Sequence, residues 1–158
     1  VGLFNLSPEE RTVSIPLARL GLDGTSLLAW EFWTQSPIQA GVEGLTVTVP
    51  AYDSRIVSVR RAKPHPQVLA TDMHLTMGGV ELPDVTWDPS RLILSGVALR
   101  APGATGRIFV HVPSGYEPIG HEPVSPARIM AVPLAFSQRD AAWSVAFRGT
   151  ATAAPAAS

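Results

Sequence analysis

The stretch His65–Gly96, HPQVLATDMHLTMGGVELPDVTWDPSRLILSG, sets the tightest limit on what this chain can fold into. From Asp72 to Met77 the residues alternate, with Asp72, His74 and Thr76 on one side and Met73, Leu75 and Met77 on the other. That is the period of a half-buried strand. Gly78-Gly79 breaks the pattern. Val80–Trp87 resumes an extended run, and Pro83 places it at a sheet edge or a bulge. Asp88-Pro89-Ser90-Arg91 reads as a type I turn, because Asp caps backbone N–H groups and Pro presets the next φ. Leu92–Leu99 follows, apolar on both faces, as in a strand internal to a sheet or sandwich. The stretch predicts a hairpin with its apolar side inward. It specifies β structure and no chemistry.

The flanking segments predict more of the same. Val1–Asn5 and Thr12–Leu17 read as an opening hairpin around Ser7–Glu10, with Val13 and Ile15 on one face. Leu17–Gly24 is the best helical candidate, about two turns long before Gly21 and Gly24 end it. Leu27–Trp33 reads as a strand and Ser36–Gly44 as a loop. Leu45–Val49 and Arg55–Arg61 read as strands, and Lys63-Pro64-His65-Pro66 as a linker held extended by its prolines. Arg107–Val112 points Ile108, Val110 and Val112 inward. Pro113–Pro126 is a loop with one short edge strand. Ile129–Phe136 and Ala142–Arg148 read as a last hairpin around Ser137–Asp140. Short strands with frequent turns predict an all-β fold, an antiparallel β-sandwich built as two small modules in tandem. The expected boundaries are 1–62 for the first module, 63–149 for the second and a disordered tail over 150–158.

Composition narrows the function classes. The 158 residues suffice for a core that buries roughly two-thirds of the unfolded surface. A net charge of -1, with eleven of the twelve basic residues scattered as Arg, gives no field for nucleic acid or an acidic membrane. The chain has no cysteine, so disulfide, zinc-thiolate and cysteine-nucleophile readings close, while the compartment stays open. No apolar run approaches the ~20 residues of a membrane helix. The chain opens at Val1 on an apolar run without a signal-peptide pattern, which reads as a piece of something longer.

Candidate chemistry is sparse. Asp72 and His74 would share a strand face, with His65 the nearest third donor. Two ligands at strand spacing do not make a metal site, and a surface polar pair is the preferred reading. Ser95, Ser114 and Ser144 lie near no nucleophile elbow. His111 alternates with Phe109 and is expected to face solvent or a neighbouring module. Paired carboxylates cleave sugars, and Glu31, Asp53, Asp72, Asp84 and Asp88 are available, but no spacing singles out two. The expected catalytic, metal-binding and cofactor-binding sets are therefore empty. Flat aromatic rings stack on sugar C–H faces. Trp30 and Trp143 alternate with apolar neighbours and read as core. Trp33 and Trp87 lie at strand ends beside polar loops and are the candidate sugar contacts.

One resemblance covers nearly the whole chain, Val1 to about Gly149. VGLFNLSPEERTVSIPLARLGL, LLAWEFWTQ and LTVTVPAYDSRIVSVRRA, in that order, resemble the β-sandwich that follows the catalytic barrel in α-galactosidase-like glycoside hydrolases. HPQVLATDMHLTMGG, VTWDPSRLILSG, VHVPSGYEP and AWSVAFRG resemble an additional C-terminal β module of a subset of such proteins. The resemblance implies a non-catalytic region that braces a (β/α)₈ barrel of the same parent chain. In that family the catalytic aspartates lie on barrel strands, and no alternating strand–helix pattern occurs here, so no catalytic residue carries over. Two other roles compete: a carbohydrate-binding module using Trp33 and Trp87, and a surface or assembly module binding protein through its sheet edges.

Overall fold

Side chains of alternating character along short strands build this chain into layers. The computed structural model describes residues 1–22, 26–41, 44–121, 125 and 127–150. In chain order the elements are β1 (Gly2–Phe4), β2 (Arg11–Pro16), a 3₁₀ turn (Leu17–Leu20), β3 (Leu27–Glu31), β4 (Ser36–Ile38), β5 (Gly44–Val49) and β6 (Ser54–Arg61). There follow β7 (Gln67–Thr71), β8 (Asp84–Asp88), β9 (Ile93–Leu99), β10 (Thr105–His111), β11 (Tyr116–Pro118), β12 (Ile129–Ala135) and β13 (Asp140–Gly149). They form four antiparallel sheets, β2-β5, β1-β6-β3-β4, β12-β10-β7 and β11-β13-β9-β8. The all-β, sandwich-like architecture agrees with the sequence reading.

The order of the layers follows from which residues pack together. Val57, Ala29 and Leu3 face Leu45, Val47 and Val49, so β1-β6-β3-β4 lies on β2-β5. The alternate residues of the same strands, Trp30, Leu28 and Ile56, face Leu69, Ala70 and Phe109. The opposite face of β12-β10-β7 offers Ile108, Val110, Val132 and Val68 to Leu94, Trp143, Val145 and Phe147. The stack therefore runs β2-β5, β1-β6-β3-β4, β12-β10-β7, β11-β13-β9-β8. The two middle sheets are covered on both faces. Burying each of the fully enclosed Leu45, Ile108 and Val57 side chains contributes about 1.5–3 kcal/mol.

β7 is buried at every position. Its register against β10 shifts between Phe109 and Val110, leaving Leu69 as an extra residue. A bulge of this kind lets neighbours Leu69 and Ala70 both turn to the same core.

Several local expectations are corrected. Val1–Asn5 and Thr12–Leu17 do not form a hairpin: β1 pairs with β6, and β2 with β5. The cause is Asn5, 4% exposed, whose Nδ2 donates to Glu9 O, Val49 O and Pro50 O, while its Oδ1 accepts from Ser7. This pins the chain where it leaves one layer for the next. β12 and β13 also do not pair with each other. Met130 and Val132 must meet Trp143, Val145 and Phe147 across one core, so the two strands face each other from different sheets.

Asp72–Met77 is a run of bends and turns rather than a strand. Met73 packs in the outer core, Met77 in the inner one, and Leu75 is half exposed. Met77 takes φ 47° and Gly78 φ 104°, closing a turn with Met77 N donating to His74 O. The strand expected over Leu27–Trp33 ends at Glu31, and the following loop contains β4. The helical candidate is reduced to the Leu17–Leu20 turn, with Gly21 at φ 64° behind it; residues 23–25 lie outside the described residues. The tail expected over 150–158 lies, beyond Thr150, outside them as well. The Asp88 turn and the short edge strand β11 stand as expected, and β8 and β9 do pair as a hairpin, but the extended run expected over Val80–Trp87 is strand only from Asp84, with Val80–Pro83 in turns and bends.

Candidate functional site

Where β6 hands the chain to β7, three cations are gathered at one cleft. Ile56, Ser58 and Arg60 alternate on the face of β6 that meets β7. Ser58 Oγ and Arg60 Nε both donate to Leu69 O, at 3.3 and 2.9 Å, using the carbonyl that the bulge leaves unpaired. Arg60 Nη2 donates to Met77 O at 2.8 Å. Gly78, at φ 104°, supplies the backbone turn beside this contact, and a Cβ there would lie 3.4 Å from the same Nη2. Arg60 Nη1 carries no bond to the described residues, and Arg60 forms no ion pair among them. Burial lowers the pKa of its guanidinium, and Glu81 opposes that shift.

Arg60, Arg61 and Lys63 line a cleft of about 390 Å³ together with His65, Gln67 and Trp87. Val68, Leu82, Val85 and Leu94 supply an apolar wall, and no carboxylate is among the lining residues. Gln67, 6% exposed, fixes the connection: its Oε1 accepts from Lys63 N at 2.5 Å and its Nε2 donates to Arg61 O at 3.1 Å. The segment Lys63–Pro66, read from the sequence as a linker, is thus a braced wall. Arg61 Nη2 donates to Gly21 O, whereas the Lys63 ammonium has no partner among the described residues.

The candidate sugar contacts are separated. Trp33 lies in the β3–β4 turn, 53% exposed, with an edge contact to Phe32 at 5.0 Å between centroids. Trp87 is half-buried on β8 and lines the cleft, which Trp33 does not. The Trp87 ring lies parallel to that of His65 at 5.3 Å and meets Tyr116 and Phe147 edge-on. Trp30 and Trp143 are core, as expected.

The other candidates are dispersed. Asp72 accepts from Arg107 Nε at 2.8 Å and from its backbone N–H at 2.6 Å. His74 Nδ1 bonds locally with Thr76. Asp72 and His74 therefore serve separate structural contacts, not one strand face. Among the described residues no three His, Asp or Glu gather as a metal site would require. Glu31 is buried and spends both oxygens on Thr34 and Ile56 N. Asp53 caps Ser54 and pairs with Arg55, and Asp88 caps its turn.

Sequence reading missed Glu81, 4% exposed, which accepts from Thr71, Thr76, Gly78 N and Val80 N. Burial pushes its carboxyl up, but those bonds outweigh it and hold the pKa below the usual carboxylate range. His111, expected to face solvent or a neighbour, is half-buried with Nδ1 enclosed and unpartnered among the described residues. Burial, then the Arg128 charge, lowers its pKa from the ordinary 6.5. None of the three described clefts is lined by two carboxylates.

A second surface feature lies along the β1 edge. Phe4, Leu6 and Tyr52 are 71%, 87% and 71% exposed. Their backbones adjoin: Phe4 pairs with Ser54, Asn5 N donates to Asp53 O, and Tyr52 N donates to Ser7 O.

In comparisons with known proteins, the chain matches no protein-family model, no curated protein and no solved structure.

Proposed function

We propose that the chain is a non-catalytic β-sandwich region of a larger glycoside hydrolase resembling the α-galactosidase-like families, bracing a (β/α)₈ catalytic domain. The single observation that carries this reading is the β1 edge, where Phe4, Leu6 and Tyr52 stand largely in solvent on one short backbone ladder. Large exposed apolar side chains brought to one stretch of backbone ladder support a surface made to be covered. An edge strand such as β1 also leaves backbone groups open to a neighbour. The motif order quoted above supplies the family, and the barrel of the same parent chain is the occupant.

The test is sedimentation of the chain with the (β/α)₈ domain of its parent protein. The expected result is a one-to-one complex that is lost in Phe4→Ser/Leu6→Ser. No complex, or self-association of the chain through those residues, contradicts the proposal. So does hydrolysis of aryl α-galactosides by the chain alone at enzyme-like rates.

A further inference from the structure

The cleft between β6, β7 and β8 holds three cations and no acid in a chain whose net charge is -1. That imbalance is local and structurally maintained. Arg60 is drawn inward by Leu69 O and Met77 O, where it loses hydration; Glu81 acts on it through its charge, but no carboxylate among the described residues makes an ion pair with it. A half-buried guanidinium without a contacting carboxylate is stabilised further by an anion that reaches its open N–H groups. Gln67 holds the backbone of Arg61 and Lys63 at the rim, so their placement is set before any ligand arrives. The opposite wall is apolar, made by Leu82, Val85 and Trp87. His65 Nδ1 donates to Pro66 O at 2.9 Å, which leaves Nε2 as its free ring nitrogen.

We infer that this cleft is a binding site for a small carboxylate-bearing sugar, the hexuronate unit of an acidic glycan. The cationic rim takes the carboxylate, and the apolar wall takes the C–H face of the ring. A cleft of about 390 Å³ falls within the range of small-molecule sites. The anionic part follows from the cations alone. The sugar part rests on the glycoside-hydrolase reading above, and the two fail separately. Arg60 Nη1 and the Lys63 ammonium are the open donors, and a carboxylate accepts from both in charge-assisted bonds.

The experiment is an NMR titration of the full chain with glucuronate, glucose and benzoate, following the Trp87 indole N–H and the Gln67 side-chain amide. The expected result is saturable shifts with glucuronate, none with glucose, and weaker ones with benzoate. Affinity should drop several-fold on raising the salt from low to physiological ionic strength. Lys63→Met, at an exposed side chain without a partner among the described residues, should weaken glucuronate about tenfold, the equivalent of one charge-assisted bond. Arg60→Met risks the fold, since Arg60 ties β6 to β7, so Arg61→Gln is the second variant and should weaken binding as well.

Equal binding of glucose and glucuronate overturns the inference, as does an unchanged affinity in both Lys63→Met and Arg61→Gln. Absence of saturable shifts overturns it too. Benzoate binding more tightly than glucuronate overturns the sugar assignment. None of these results touches complex formation through the β1 edge, which tests the other proposal.

Discussion

The β12-β10-β7 sheet has two faces of opposite character. The outer face, with Ile108, Val110, Val132 and Met130, meets an apolar partner and forms a dry core. The inner face meets β3 and β6 through Phe109, Leu69 and Trp30, with Trp30 and Phe109 rings 4.3 Å apart. Yet Ser58, Arg60, Gln67 and His111 are set into or around that inner seam. A dry core needs only shape. The seam also carries polar groups: the Leu69 carbonyl freed by the bulge takes up Ser58 and Arg60, and Gln67 bonds the Arg61–Lys63 backbone, while Trp30 Nε1 and His111 Nδ1 stay unpartnered among the described residues. Cleft and seam share part of their construction: the bonds of Arg60 to Leu69 O and Met77 O, and of Gln67 to Arg61 O, join residues 1–62 to 63–149 and also hold cations at the cleft.

The comparison breaks most sharply at two neighbouring residues. Phe109→Ala should cost about 3–5 kcal/mol and Ile108→Ala about 2–5 kcal/mol, measured by urea denaturation. A seam that merely touches would make Phe109→Ala much the milder of the two. A smaller effect, about 1–3 kcal/mol, is expected from Gly96→Ala in the outer sheet. A Cβ there meets the Asp84 carbonyl oxygen and lies 3.0 Å from Trp143 Cζ2, so the β8–β9 pairing must shift.

Glu81→Gln should also cost about 1–3 kcal/mol, because a neutral amide cannot accept from all four donors. The pH dependence sharpens this. Since the folded pKa of Glu81 lies below its ordinary 4.5, the carboxylate stabilises the fold above that value. The contribution is lost as pH falls through the folded pKa, and acid denaturation of Glu81→Gln should be correspondingly shallower.

His111 works in a different window. Its folded pKa is lowered, so the unfolded chain binds the extra proton first and stability falls as pH drops below 6.5. His111→Phe should flatten the thermal midpoint over that range and leave it unchanged above pH 7. The smallest effect belongs to Arg148→Ala, which breaks an exposed pair with Glu117 and should cost less than about 1 kcal/mol.

Much of the stack was legible in residue alternation. Ile108, Val110 and Val112 face inward as read, Trp30 and Trp143 are core, and Asp88 nucleates the expected turn. These features depend on neighbours in sequence. Pairing does not, and the partners of β1 and β2 are the distant strands β6 and β5, so those pairings went unread. The period-2 pattern over Asp72–Met77 was real but misleading, since Glu81 gathers that segment's donors into a loop. The cleft was hidden because Arg60, Arg61 and Lys63 look like the end of a strand and the start of a linker. Their spacing was the available signal, three cations within four residues.

The seam joins both halves into one cooperative unit. Trp30 and Trp33 report on the first half, Trp87 and Trp143 on the second, so the four indole N–H resonances can be followed together through a urea titration. The native signals of Trp30 and Trp143 are expected to vanish at one common midpoint. Two separated midpoints, with either half keeping its native signal while the other is unfolded, would contradict it.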